Sequence, residues 1–240
     1  MQDNPSMSII IPFYGKWELT HSRLMELYKY APDYCEIVLV DDASTDEDCA
    51  RGIAWWQKAN FIRHKIRYYR NKENLGFGGS HNNGAKLAKG NIFVFLSNDV
   101  VVSANIFDDI TNLIGSDNKM LLGGRIVDWK AGWNEFDVDG KHIVIPYAEG
   151  WLLACTKEAW KSLGGFDDLY GKYDYEDVDL STKAISLGYN IAGLNSKQVH
   201  HLSGRTISSL HVDRMKITEH NRDKFIAKWL DKLPSLMEKL

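Results

Sequence analysis

The 240-residue chain predicts an α/β fold with a doubly wound sheet. Two observations carry this. Apolar runs of strand length alternate with helix-period segments through the first hundred residues. The runs around Ile9-Ile10-Ile11, Ile37-Val38-Leu39-Val40 and Phe93-Val94-Phe95-Leu96 are unbroken, as in strands buried on both faces.

Taken in order, residues 8–12 form a first strand ended by Pro12, followed by the loop Phe13-Tyr14-Gly15. Trp17, Leu24 and Leu27 recur at helical spacing, and Pro32 stops that helix. Residues 36–40 form a second strand ending in Asp41-Asp42. Ser44 and Glu47 stand in capping-box spacing, which starts a helix with Ala50, Ile53, Ala54 and Trp56 on one face. Residues 65–69 form a third strand, 71–79 a loop, and 80–89 a helix closed by Gly90. The run 93–102 is the central strand, interrupted by Ser97-Asn98-Asp99. In the second half, 121–127, 141–146, 150–155 and 190–194 read as strands. Leu180, Ala184 and Leu187 mark a helix closed by Gly188; Phe225, Ile226, Trp229 and Leu233 mark a final amphipathic one. No linker composition appears, so 1–240 reads as one domain. Its parts are a nucleotide-binding half over 8–102, a catalytic and acceptor half over 103–206, and a helical segment over 207–240.

The formal charge of −3 gives no global basic field, so electrostatics do not imply nucleic acid as a partner. Cys35, Cys49 and Cys155 show neither zinc spacing nor a disulfide framework, which fits a reducing, cytoplasmic compartment. The first eight residues lack a secretory apolar core, and no window reaches membrane-span length. Aromatic-rich loops leave peripheral membrane contact open, and the sequence assigns no oligomeric state.

Three acidic clusters carry the chemistry: Asp41-Asp42, Asp99, and Asp174-Tyr175-Glu176-Asp177-Val178-Asp179. The first two follow strand ends, where open α/β sheets bind ligands. Asp99 fits either a polar turn or a cation site. The third opens a helix, where carboxylates often only complement the helix dipole. Four acids within six positions, however, repel one another unless something positive is shared.

These residues resemble a known family. Ile9-Ile10-Ile11-Pro12-Phe13-Tyr14, Val40-Asp41-Asp42-Ala43-Ser44-Thr45-Asp46, Asn74-Leu75-Gly76-Phe77 and Phe95-Leu96-Ser97-Asn98-Asp99 follow its order. Gly164-Gly165-Phe166-Asp167, Tyr175-Glu176-Asp177-Val178-Asp179-Leu180 and His201-Leu202-Ser203-Gly204 continue it. Over about 8–206 the chain is similar to the inverting family 2 glycosyltransferases of GT-A fold, nearest to rhamnosyltransferase-like members. The resemblance implies a Rossmann-like three-layer α/β/α sandwich around a central, mostly parallel mixed sheet. It implies a nucleotide-diphosphate sugar donor, a carbohydrate or other hydroxyl acceptor, and Mn2+ or Mg2+. Pro12, Phe13 and Tyr14 match the loop flanking the base. Asp42 or Asp41 matches the acid that holds base or ribose. Asn74, Gly76 and Asn82 match positions near the nucleotide and sugar, and Asn98 belongs to the same donor site. Asp99 matches the last acid of the family's Asp-X-Asp motif, whose first acid is here Ser97. His201 matches a later metal ligand, with His200 the adjacent alternative. Asp177 matches the catalytic base, with Glu176 its neighbour, and Asp167 the acceptor contact.

The residues support this chemistry on their own terms. A carboxylate can take the proton of an attacking hydroxyl, and a cation neutralises a leaving diphosphate. Oxygen ligands suit magnesium or manganese; an imidazole tilts the shell toward manganese. On a helix, Glu176 and Asp179 are expected to point away from the direction of Asp177, since successive positions turn by about 100°. Trp151 and Trp133 suit stacking on sugar faces, with Glu149-Gly150-Trp151 favouring the former; buried tryptophan is the plainer reading of both. Arg205 fits a phosphate clamp or a surface ion pair. A sugar-phosphate nucleotidyltransferase would need a Gly-rich and basic signature after the first strand, which Phe13-Tyr14-Gly15-Lys16 does not supply. A non-catalytic carbohydrate-binding relative is the other rival.

Overall fold

The computed structural model describes residues 6–59, 64–128, 134–138, 140–202 and 213–237. Trp129, Trp133 and Arg205 lie outside these residues. The strands are β1 (Met7–Phe13), β2 (Cys35–Asp41), β3 (Lys65–Arg70), β4 (Ile92–Leu96), β5 (Val100–Val102), β6 (Met120–Gly123), β7 (Ile126–Val127), β8 (Glu135–Val138), β9 (Lys141–Val144), β10 (Tyr147–Ala148), β11 (Leu152–Thr156), β12 (Asn190–Gly193) and β13 (Val199–His201). The helices are α1 (Trp17–Tyr30), α2 (Glu47–Lys58), α3 (Gly76–Leu87), α4 (Phe107–Ser116), α5 (Lys157–Leu163), α6 (Glu176–Ser186), α7 (Arg214–Trp229) and α8 (Leu233–Met237).

Seven strands form the main sheet in the order β12-β6-β11-β4-β1-β2-β3. All neighbours run parallel except β11, which is antiparallel to both β4 and β6. Alternation along each buried strand feeds two cores. Ile9, Ile11, Ile37, Leu39, Val94 and Leu96 face α1, α2 and α4. Ile10, Val38, Val40, Phe93 and Phe95 face α3, α5 and α6. The uninterrupted apolar runs are thus the mark of a sheet covered on both sides. A third core joins α7 and α8 to the β8–β9 hairpin through Phe136, Phe225 and Trp229. Cys35, Cys49 and Cys155 are buried free thiols. Among the described residues no helix is long and apolar enough to cross a membrane.

Several boundaries differ from expectation. β1 continues through Pro12 to Phe13. The expected central strand over 93–102 is two strands, because the chain leaves the main sheet at Ser97 and β5 pairs with β13 instead. The stretch 121–127 is likewise broken into β6 and β7. Helix α2 is capped by Asp46, whose carboxylate accepts the Cys49 N–H, while Ser44 Oγ accepts the Gly15 N–H. Its buried positions are Cys49, Ile53 and Trp56; Ala50 and Ala54 face solvent. Helix α3 starts at Gly76, inside the expected loop, because a carboxylate from β2's end satisfies its first N–H groups. Helices α4 and α5 and the three-residue β13 add to the expected elements; α4 buries Phe107, Ile110 and Ile114 at helical spacing, a signal present in the sequence.

Candidate active site

A cavity of about 890 Å³ opens at the carboxyl ends of β1, β2 and β4, roofed by the start of α6 and the first turns of α7. Pro12, Phe13 and Tyr14 form one wall, and Asp42, Asn74 and Gly76 the next. Ser97, Asn98, Asp99, Trp151 and His201 lie together, and Glu176 and Asp177 line the same space.

Asp41 and Asp42 separate because adjacent strand residues face opposite sides. Asp41 is turned away from the cavity, accepting from Ser44 N at 2.7 Å and Tyr68 Oη at 3.0 Å and pairing with Arg70. Asp42 faces it. Its Oδ1 accepts from Asn71 Nδ2 and Leu75 N, and its Oδ2 from Gly76 N, each at 2.8 Å. The carboxylate therefore fixes the N-terminus of α3 where that helix meets the cavity. β1 lies between β2 and β4, so the two acidic strand ends share a rim without being on neighbouring strands. Gly76 has φ +75°, and a Cβ there would lie 2.3 Å from the Lys172 backbone. Gly76→Ala is expected to destabilise the protein by at least ~1 kcal/mol from conformation alone, and the overlap adds to this. Thermal denaturation should show a melting point lower by several degrees; an unchanged one would contradict the close approach.

Asp99 is 4 % exposed. Ser97 Oγ donates to its Oδ1 at 2.6 Å, and His201 Nε2 lies 3.4 Å from the same oxygen. Burial works against the charged form, but the hydrogen bonds from His201 and Ser97 outweigh it and hold the carboxyl below the usual carboxylate range. His201 comes from β13, opposite Val100 of β5. Its ring stacks on Trp151 at 5.6 Å, and Trp151 Nε1 donates to Glu149. Gly124 makes room for that indole: a Cβ there would lie 2.0 Å from it. His200 is exposed and lines none of the cavity. Asn98 Nδ2 donates to Thr20 at 3.2 Å. Behind this group the buried Arg23 of α1 donates to Val100 O at 2.6 Å, and its ion-pair partner Glu26 accepts Val102 N. Both ends of β5 are thereby held.

Glu176 and Asp177 begin α6, and both line the cavity, so the expectation that Glu176 points elsewhere does not hold. Asp177 Oδ2 accepts from Gly150 N at 2.9 Å and its Oδ1 from Val178 N at 2.8 Å. Burial, with the charge of Asp174 adding to it, raises its pKa to about 6 despite those bonds. Glu176 is pushed well above the usual carboxylate range by burial and by Asp177, and its Oε2 is buried without a hydrogen-bond partner. Asp179 turns into the third core, bonded to Tyr170, Trp229 and Lys228.

Asn82 and Asp167, like Asp41, stand away from the cavity. Asn82 clamps the Phe166 backbone, donating to its carbonyl at 2.8 Å and accepting its N–H at 3.0 Å. Asp167 caps a short 3-10 turn through Leu169 N and pairs with Lys228 at 2.7 Å. Unanticipated lining residues include Lys172, Tyr173 and, from α7, Arg214, Met215, Thr218 and Glu219. The one hint of Arg214 was the acid run's need for a shared positive charge.

The family model for Glycosyl transferase family 2 matches residues 8–164. A mouse (Mus musculus) protein, inactive polypeptide N-acetylgalactosaminyltransferase-like protein 5, is 24 % identical over 97 % of this chain and 62 % of its own length. Among solved structures, GalNAc-T7 with UDP, GalNAc and Mn2+ superposes with a TM-score of 0.66 at 20 % identity, over 84 % of this chain and 44 % of that one. The mannosyltransferase PcManGT from Pyrobaculum calidifontis, with GDP-Man and Mn2+, gives 0.62 at 19 % identity, over 80 % and 55 %. The chain thus spans less than two thirds of each of these proteins, and the likeness to the two structures is one of fold.

Proposed function

The chain belongs to glycosyl transferase family 2 and has the GT-A fold, and on that premise we propose that it moves a sugar from a nucleotide-diphosphate donor to an acceptor hydroxyl, with inversion at the anomeric carbon. One observation carries the reading: the Asp99–His201 pair and the Glu176–Asp177 pair reach a single cavity from separate elements. A displacement needs charge stabilisation at the leaving group and a proton acceptor at the nucleophile, on different groups.

The donor set fits a divalent cation in an open site. Asp99 and His201 offer an oxygen and a nitrogen side by side. Among the described residues no three His, Cys, Asp or Glu side chains form a ready-made cage. Most positions of an oxygen-preferring cation would then fall to diphosphate and water, as suits magnesium or manganese. When bound, the cation neutralises charge on the departing diphosphate. The Mn2+ and nucleotides held by the two solved structures support this reading.

The chain's own residues do the rest. Phe13 and Tyr14 flank the base, and Asp42 holds the Asn74–Gly76 backbone against the nucleotide. Trp151, braced by His201 and Glu149, offers a face to a sugar ring. Asp177 accepts the hydroxyl proton; a pKa near 6 leaves it ionised at neutral pH yet basic enough to work. Burial and the charge of Asp177 favour the protonated form of Glu176, which lessens repulsion within the pair.

The test is nucleotide release from UDP-, dTDP- and GDP-sugars with an acceptor panel, with and without manganese. Release from one donor class that depends on manganese and yields an inverted glycoside is expected. Transfer undiminished in EDTA would remove the cation from the reading, and a retained anomeric configuration would remove the single displacement. The name of the mouse relative favours a second reading, a binding protein without turnover. That reading predicts donor binding and no release with any acceptor.

A further inference from the structure

Helix α7 lies outside the stretch matched by the family model, yet its first two turns hold the segment that delivers the catalytic pair. Arg214 donates to both oxygens of Asp174, from Nη2 at 2.6 Å and from Nε at 3.1 Å. Thr218, one turn on, donates its hydroxyl to Asp174 Oδ2 at 2.7 Å. Asn221, 1 % exposed, points Nδ2 at three carbonyls, Tyr170 at 2.9 Å, Tyr173 at 2.6 Å and Asp174 at 3.0 Å, which share its two hydrogens. The clamped residues are in a costly conformation. Asp174 and Tyr175 have φ of 62° and 78°, consecutive left-handed residues without a glycine. Left-handed backbone is disfavoured for residues with a side chain, so the pair persists only where its surroundings over-determine it. Glu176 and Asp177 follow directly.

We propose that α7 is a positioning element for catalysis: Asn221 and Thr218 hold Asp174 and Tyr175 left-handed, and Arg214 balances the charge of Asp174 beside Asp177. The inference rests on Asp177 acting as the base. Asp174 repels a charge on Asp177, and Arg214 acts favourably on Asp174, Glu176 and Asp177 together. Other ionisable groups lining this side of the cavity are Tyr147, Glu149, Lys172, Tyr173, Tyr175 and Glu219, with Arg222 beside Tyr175.

Two readouts test it. In the pH profile of transfer, Arg214→Met should move the rising limb upward by roughly half a unit to one unit and lower kcat, with nucleotide affinity in manganese unchanged. Arg214→Lys should return the midpoint toward wild type, and in an Asp174→Asn background Arg214→Met should give a different shift than in the wild type, because only the direct effect of Arg214 on Glu176 and Asp177 is left. In hydrogen exchange, the peptide covering 170–178 should exchange at least about tenfold faster in Asn221→Ala. An unmoved midpoint in Arg214→Met overturns the charge role, and wild-type exchange in Asn221→Ala overturns the clamp. If Asn221→Ala does not fold, exchange in Thr218→Val, which keeps the side chain's shape and removes its bond to Asp174, decides the clamp in the same way. Failure of the underlying base assignment shows separately, as retained transfer in Asp177→Asn with the exchange result intact.

Discussion

Asp177→Asn should cut transfer by roughly 10²–10⁴-fold while nucleotide and manganese binding stay near wild type. Asparagine keeps the size of the side chain and one oxygen for the Val178 N–H, but it cannot take a proton. If Asp177 served only as a cap, asparagine would serve nearly as well; near-wild-type turnover in the folded variant would show that. A collapse in Glu176→Gln with Asp177→Asn still active would move the base by one residue. In the wild type, transfer should rise with pH through about 6 as Asp177 loses its proton. Stability should run the other way. A carboxyl whose folded pKa is raised contributes its full stabilisation below the ordinary carboxylate range and loses it as pH rises through the folded value. Melting points of the ligand-free protein should therefore carry a component from Asp177 that falls between pH 4 and about 6. Asp177→Asn should remove that component.

Asp99→Asn should abolish manganese-dependent nucleotide binding and nearly all transfer. Groups that only orient metal ligands are worth about 10–100-fold in affinity, so loss of a charged ligand should exceed that range. With Ser97 in place of an acid, no other carboxylate of the Ser97-Asn98-Asp99 turn can substitute. Calorimetry with UDP, dTDP and GDP, with and without manganese, checks it; manganese-dependent binding that survives in Asp99→Asn would sink the assignment. His201→Ala should raise the manganese requirement and His200→Ala should not, since His200 is exposed and outside the cavity.

The strands were legible because burial on both faces leaves an unbroken apolar run, and β1, β2 and β4 have one. The two-fold choices were not. Asp41 against Asp42 and His200 against His201 are adjacent strand residues, and which of two neighbours faces a cavity depends on register, set by partners far along the chain. The start of α3 was hidden for a related reason. Gly76, Gly78 and Gly79 read as loop, and the helix exists there because the Asp42 carboxylate, 34 positions earlier, accepts the Gly76 N–H. Asn82 and Asp167 have their place in a motif, but the sequence does not show that Asn82 clamps the Phe166 backbone or that Asp167 caps a turn and pairs with Lys228. Arg214 and Asn221 carry no motif at all; their meaning lies in a turn some 40 to 50 residues before them.

The β5–β13 ribbon has a consequence in time. Asp99 and His201 meet at 3.4 Å across about a hundred residues of intervening chain. Closing so long a loop is an entropic cost that no local contact offsets, so the first sheet strands can pair well before these two side chains do. During synthesis, Asp42 and Asp99 emerge early, yet the imidazole that completes the pair arrives only after β6, β11 and β12. Completion of the Asp99–His201 pair is thus a late event of folding.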